Sequence, residues 1–311
     1  MSRAPASQRG VALITAVLVV AIATLAATAM LASTQIAIHR SASLQESEKG
    51  WWYAEGVEQW VATILQRDAE ENQVDSLDEP WARPVDYLPV DDGVIRGRVI
   101  DLQGRFNLNN LAHPDPEQYA RYREHFERLF GVLEAGDSFA AAAIAAAVRD
   151  WVDPDQEPTG FDGAEDGEYL VADPPYRAAN QPMSSVSELL LIKGVSRDIY
   201  RALAPHLAVL PAYGTAVNVN TATEPVLLSL VEAPPPELQR FIEVRETEPA
   251  QALDAIQPLF PALSPPVSVG SAYFKLESEV LIGSSRVALY HFFHRPGAGA
   301  PILLGRSTDT D

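Results

Sequence analysis

Between Arg9 and Arg40 the chain carries no Asp, Glu, Lys or Arg, and Val11 to Leu31 is an almost unbroken apolar run. A helix needs about 20 such residues to cross the hydrocarbon core of a bilayer, so the run predicts a membrane-spanning helix over 11–31. From Gln35 to Gln66 there is no proline, and Leu44, Trp51, Trp52, Val57, Trp60, Val61, Ile64 and Leu65 recur at helical spacing. The two stretches together predict one nearly continuous helix from Val11 to about Gln66, on the order of 80 Å long at the helical rise per residue. The tryptophans read as core, packing a globular head onto the helix.

The pattern then changes. Asp68 to Asp92 is acidic and carries Pro80, Pro84 and Pro89, which predicts an extended connector. "GVIRGRVIDL" alternates as a strand up to a turn at Gly104, and "SAYFKLESEVLIGSSRVALYHFFHR" predicts a hairpin turning at Gly283 to Ser285. In it Phe274, Leu276 and Val280 share one face, and Val287, Leu289, His291 and Phe293 alternate on the return. Between these β segments lie helical signals. "SFAAAAIAAAVRDW" opens at Ser138, "SSVSELLLIKGV" pairs Ser185 with Glu188 as a capping box closed by Gly194, and "NTATEPVLLSL" repeats the device with Thr221 and Glu224. The predicted architecture is α+β: a long N-terminal helix packed on a small antiparallel sheet, with a large all-α insertion. Its parts are a leader (1–10), the membrane helix (11–31), the rest of the helix with the first part of the sheet (32–109), the helical insertion (110–265), the remaining strands (266–295) and a flexible tail (296–311).

Charge sets the orientation of the membrane helix. Arg3 and Arg9 precede it with no acidic residue, so the positive-inside bias keeps the leader in the cytoplasm and sends the rest outward. Three readings compete for the segment: a plain signal anchor, a secretory signal cleaved at Ala27-Thr28-Ala29, and a short basic leader cut between Gly10 and Val11 that leaves the helix attached. The apolar run extends well past Ala29, and the amphipathic continuation to Gln66 favours the third. With 311 residues, 47% apolar content and a net charge of −19, the chain can bury a substantial core and repels polyphosphate backbones. The absence of cysteine excludes disulfides, thiolate metal sites and cysteine nucleophiles.

Candidate chemistry concentrates in "DWVDPDQEPTGFDGAEDGEYLVAD", which places nine carboxylates between Arg149 and Arg177 with no Lys or Arg among them. Such density repels itself unless a cation sits in it, and oxygen-only ligands on a loop suit calcium better than zinc. The spacing is not that of an EF-hand: counted from Asp153, the glycine position holds Pro158 and the closing acid falls one residue late at Glu165. A solvated acidic loop is the competing reading. "SELLLIKGV" and "VNVNTATEPVLLSL" resemble halves of helix-hairpin-helix, or SAM-like, modules. With Lys193, Arg197 and Arg201 as the nearby bases in an acidic chain, they read as packing units in which Asn218, Asn220 and Thr221 cap and turn, and no nucleic acid is expected. No catalytic constellation stands out; His291 and His294 are three apart on a predicted strand and point to opposite faces.

The leader, "YAEG" at Tyr53 to Gly56, "GRFNLNNL", "RDWVDPDQEPTGFDGAEDGEY", "SVSELLLIKGV" and "VNVNTATEPVL" together resemble the general secretion pathway protein K family, minor pseudopilins of type II secretion systems. The resemblance spans nearly the whole chain and implies a pilin-like subunit, not an enzyme, anchored by one helix in the inner membrane with its head in the periplasm. It implies cleavage after Gly10 and methylation of Val11. It implies calcium in the acidic segment, for which Asp153, Asp155, Glu165 and Asp166 are the candidate ligands, with Asp162 and Glu157 in reserve. The implied partners are minor pseudopilins I and J, the major pseudopilin, the prepilin peptidase, the inner-membrane secretion platform and membrane lipid. The implied role is to initiate and cap the tip of the periplasmic pseudopilus. Pilin-like subunits ordinarily carry glutamate as the fifth mature residue, and here that position is Thr15. The alternatives are a membrane-anchored helix-hairpin-helix protein that binds nucleic acid, and an anchored periplasmic metal-dependent enzyme.

Overall fold

A computed structural model describes residues 9–260 and 265–308, with side chains from Val11 onward. The predicted leader up to Gln8 and the last three residues lie outside the described residues. Helix α1 runs unbroken from Arg9 to Glu71, about 95 Å at the helical rise. Val11 to Leu44 is exposed throughout. In its apolar part the hydroxyls turn back on the helix itself: Thr24, Thr28, Ser33 and Thr34 all donate to carbonyls three or four residues earlier.

Beyond Gly50 the same helix lies across an antiparallel sheet. The sheet is built from β1 (Val85–Val90), β2 (Gly93–Asp101), β7 (Tyr273–Ile282), β8 (Ser285–His294) and β9 (Ile302–Ser307), in the order β1-β2-β7-β8-β9. Ala54, Val57, Val61 and Leu65 pack on Phe274, Leu276, Val280, Val287, Leu289 and Phe293, the strand faces that alternation predicts. Gly50 permits the close approach, since a Cβ there would lie 2.7 Å from Val287 Cγ2. The tryptophans depart from expectation. Trp51, Trp52 and Trp60 are 47%, 73% and 48% exposed, because the small and β-branched residues fill the narrow helix–sheet contact.

Two further departures concern the ends of the sheet. The expected connector contains β1, an edge strand that accommodates Pro89. The expected flexible tail contains β9, which pairs with β8 through an irregularity between Phe292 and Phe293. Its Arg306 forks onto Glu58 of α1 at 2.6 and 2.9 Å, beside the fully buried His291.

The helical domain is inserted between β2 and β7. It comprises short strands β3 (Phe106–Asn107), β4 (Leu207–Ala208), β5 (Val217–Asn218) and β6 (Val267–Ser268), with helices α2 (Pro116–Val132), α3 (Ser138–Val152), α4 (Asp166–Tyr169), α5 (Arg197–Leu203), α6 (Glu224–Ser229), α7 (Pro236–Val244) and α8 (Leu253–Ile256). Phe106, Tyr122, Phe126, Leu129 and Phe130 meet Ile144, Val148, Trp151, Leu189, Val226 and Leu227 in a core separate from that of the sheet. Asp137, one residue before the predicted start, caps α3 through Ala140 N–H at 2.8 Å. The Ser185–Glu188 capping box is present, on a 3₁₀ turn rather than an α-helix. Thr221 does not cap α6, whose cap position is Thr223; its hydroxyl bonds Asp101 at 2.5 Å instead.

Candidate functional site

The acidic loop is organised by a residue that the candidate list omits. Asp150, in the last turn of α3, is fully buried. Its carboxylate accepts Thr159 N–H at 2.9 and 3.1 Å and Ala164 N–H at 2.7 Å. The loop is thereby pulled round it, and at the closest point only glycine fits: a Cβ on Gly163 would sit 2.3 Å from Asp150 Oδ2. The available signal was Gly163, a glycine within a loop that opens on Asp153, and it is too weak to read alone.

Folding the loop over Asp150 brings together Asp153, Asp155 and Glu165, with one carboxylate oxygen of each within 4.8 Å of the others. Both Glu165 oxygens and Asp153 Oδ1 are buried without a hydrogen-bond donor among the described residues. Burial, reinforced by Asp150, Asp153 and Asp155, pushes the Glu165 carboxyl up to about 7. Burial and then Asp155 push Asp153 up to about 6. The cation near Asp153 is Arg149 at 3.8 Å, whose guanidinium also lies over the Tyr119 ring at 4.2 Å. Orphaned carboxylate oxygens cost free energy that a cation recovers, and an all-oxygen donor set on a loop fits a hard divalent ion. Asp166 stands apart: it accepts Ala178 N–H at 3.0 Å and faces Arg177 at 3.7 Å. Asp162 and Glu157 are exposed and outside the cluster.

At the other end of the molecule Thr15 is satisfied within its own helix. Its hydroxyl has Ala12 O at 3.0 Å and Val11 O at 3.1 Å as acceptors. Gly10 lies in α1, one residue after its first described position.

The two halves of the head are locked by a buried polar node. Asp101 Oδ2 accepts from Asn218, Ser271 and Thr221, while Asn218 also donates to Asp75 O at 3.0 Å. Arg295 closes the node by pairing with Asp75 at 2.5 Å and Asp68 at 2.8 Å. These partners are far apart in sequence, so residue patterns do not reveal them. The helix-hairpin-helix-like turns present little free positive charge: Lys193 is held by Glu168 at 3.1 Å and Arg201 by Asp198 at 2.9 Å.

Comparison with known proteins agrees with this anatomy. A family model described as type II secretion system (T2SS), protein K, matches residues 104–212, the first part of the helical domain. The type II secretion system protein K of Pseudomonas aeruginosa is 35% identical over 96% of this chain and 92% of its own length. That of Aeromonas hydrophila is 32% identical over 96% of each chain. The crystal structure of the GspK-GspI-GspJ complex from the type 2 secretion system of enterotoxigenic Escherichia coli contains a similar chain. It matches with a TM-score of 0.77 and 26% identity, covering 88% of this chain and 100% of that one. An exposed apolar helix long enough to cross a membrane, a sheet packed on its distal half, an inserted helical domain and relatives matched end to end lead to one conclusion: this chain belongs to the type II secretion system protein K family of minor pseudopilins.

Proposed function

We propose that this chain initiates the pseudopilus and occupies its tip, with its head in the periplasm. The observation that carries the proposal is Thr15, whose hydroxyl is satisfied by Ala12 and Val11 carbonyls in its own helix. In the subunits that this chain resembles, the corresponding glutamate meets the terminal amine of the neighbour assembled before it. A carboxylate within the bilayer costs about 2.5–3.5 kcal/mol on insertion scales unless it is partnered. The first subunit has no neighbour above to supply an amine, and threonine removes the need for one. Cleavage after Gly10 by the prepilin peptidase then leaves Val11 as the methylated terminus. The helical insertion is tolerable at the tip because no later subunit stacks on it.

Calcium is the proposed ion at Asp153, Asp155 and Glu165. It would relieve the mutual repulsion of these carboxylates and fix the loop that Asp150 shapes. Partnership with the I-type and J-type minor pseudopilins is supported by the similar chain found in complex with GspI and GspJ. The major pseudopilin and the inner-membrane platform complete the proposed assembly. Co-purification of the detergent-solubilised chain with I-type and J-type subunits tests the reading. Stable recovery of all three is expected; recovery with the major subunit alone would contradict it.

A further inference from the structure

The sheet and the helical domain do not close completely on the face opposite α1. A cavity of about 540 Å³ opens between them, and a second of about 800 Å³ adjoins it toward β9. The two share Leu102, Ser184, Ser185, Val209 and Phe292, so they form one continuous seam. Its ends differ in chemistry. At the first, Arg98, Arg105 and Lys275 line the cavity with a single carboxylate, Glu277. Strand register explains the clustering: Arg98 pairs with Glu277 and Ile100 with Lys275, all on the outer face of β2 and β7. Glu277 is already engaged by Arg98 at 2.6 Å and stands 3.5 Å from Lys275. Arg105 is different: its partly buried side chain makes no hydrogen bond or ion pair among the described residues, and Asp101 and Glu277 act on it only at longer range. An arginine cannot shed its proton to escape burial, so one whose burial is only partly offset by nearby carboxylates favours a further anion. The second end is lined by Met183, Pro211, Phe293 and Leu304 and contains no acidic residue.

In a chain of net charge −19, an accessible cationic end joined to an apolar chamber is a local reversal of the surface. A lone small anion would fill a fraction of this volume and leave the apolar end unused. We infer that the seam binds an extended acidic polypeptide segment, whose carboxylate pairs with Arg105 while an apolar side chain enters the chamber beside Phe293 and Leu304.

The test uses the full chain in detergent and a short fluorescein-labelled peptide of alternating leucine and aspartate, followed by fluorescence anisotropy. Control peptides replace every aspartate by asparagine or every leucine by serine, and inorganic phosphate serves as a competitor. Asp309→Asn/Asp311→Asn removes two C-terminal carboxylates of the chain itself as competitors, and every titration is repeated in it. The leucine–aspartate peptide is expected to bind at least about tenfold more tightly than either control. Arg105→Gln should weaken it by about tenfold, Arg105→Lys by less, and Leu304→Ser should narrow its advantage over the serine control. Arg240→Gln, on α7 away from the seam, should change nothing. Because Arg105 makes no hydrogen bond or ion pair and its burial outweighs the pull of Asp101 and Glu277, Arg105→Gln should also melt no lower than the parent, which separates lost binding from lost folding. Equal binding of the asparagine control, full displacement by phosphate, indifference to Arg105→Gln, or no binding up to about 1 mM peptide in both backgrounds would overturn the inference.

Discussion

His125 illustrates how burial, rather than residue type, sets the chemistry of single side chains here. It is enclosed between the edge of the Phe106 ring, 5.0 Å away, and the Val226 carbonyl. Burial lowers its pKa to about 3 from 6.5, with the Val226 carbonyl opposing the shift only in part. The unfolded chain therefore takes up a proton below pH 6.5 that the folded chain refuses. Stability from this residue is complete above that pH and falls as the solution is acidified, by on the order of 2 kcal/mol at about pH 5. His125→Gln should flatten the melting temperature between about pH 7 and pH 5, and an unchanged acid slope would show that other groups dominate. Single residues were also where sequence reading was least complete. The carboxylates of the acidic segment stood out by their charge, yet nothing distinguished Asp150, which is a backbone anchor, from Asp162, which is exposed. The difference comes from where α3 ends relative to the core.

At the scale of elements, α1, β2, β7 and β8 were legible because each carries one uninterrupted periodicity, apolar or alternating. Strand β9 was not. It follows the glycine- and proline-containing stretch 296–301, and its three leading apolar residues carry no alternation. Its position is set by partners distant in sequence, chiefly Glu58 at 4% side-chain exposure. Removing Arg306 would leave that carboxylate beside a histidine whose burial disfavours its charged form. With the guanidinium partly screened by solvent, Arg306→Ala should destabilise the fold by about 1 kcal/mol and speed amide exchange in Ile302–Ser307 before the rest of the sheet. Uniform exchange would mean that β9 is held by its ladder alone. The acidic loop yields a companion prediction. If Asp153, Asp155 and Glu165 share calcium with an affinity near 10⁻⁴ M, about 1 mM calcium should stabilise the head by about 1.4 kcal/mol. Chelation should reverse this in a melting experiment, and Asp155→Ala should remove most of the response. Melting that ignores both calcium and chelator would leave the cluster a bare acidic loop.

For the whole molecule, the long helix and the inserted domain make opposite demands. The exposed apolar half of α1 suits lateral packing in lipid or in a fibre, whereas the helical insertion enlarges the head far beyond the sheet that α1 supports. A subunit at the tip satisfies both, with neighbours below and none above. Thr15 belongs to the same logic at the membrane end, so Thr15→Glu should leave secretion unchanged or mildly reduced, while loss of the glutamate from the major subunit should stop fibre growth. Site-specific photo-cross-linking in assembled pseudopili tests the tip assignment most directly, with the reactive group placed at exposed Phe139 on the helical domain and, separately, at exposed Leu13 on α1. A subunit at the tip gives adducts from Leu13 to subunits below and none to other pseudopilins from Phe139. Adducts from Phe139 to major pseudopilin, at a frequency that grows with fibre length, would place the chain along the shaft and contradict it.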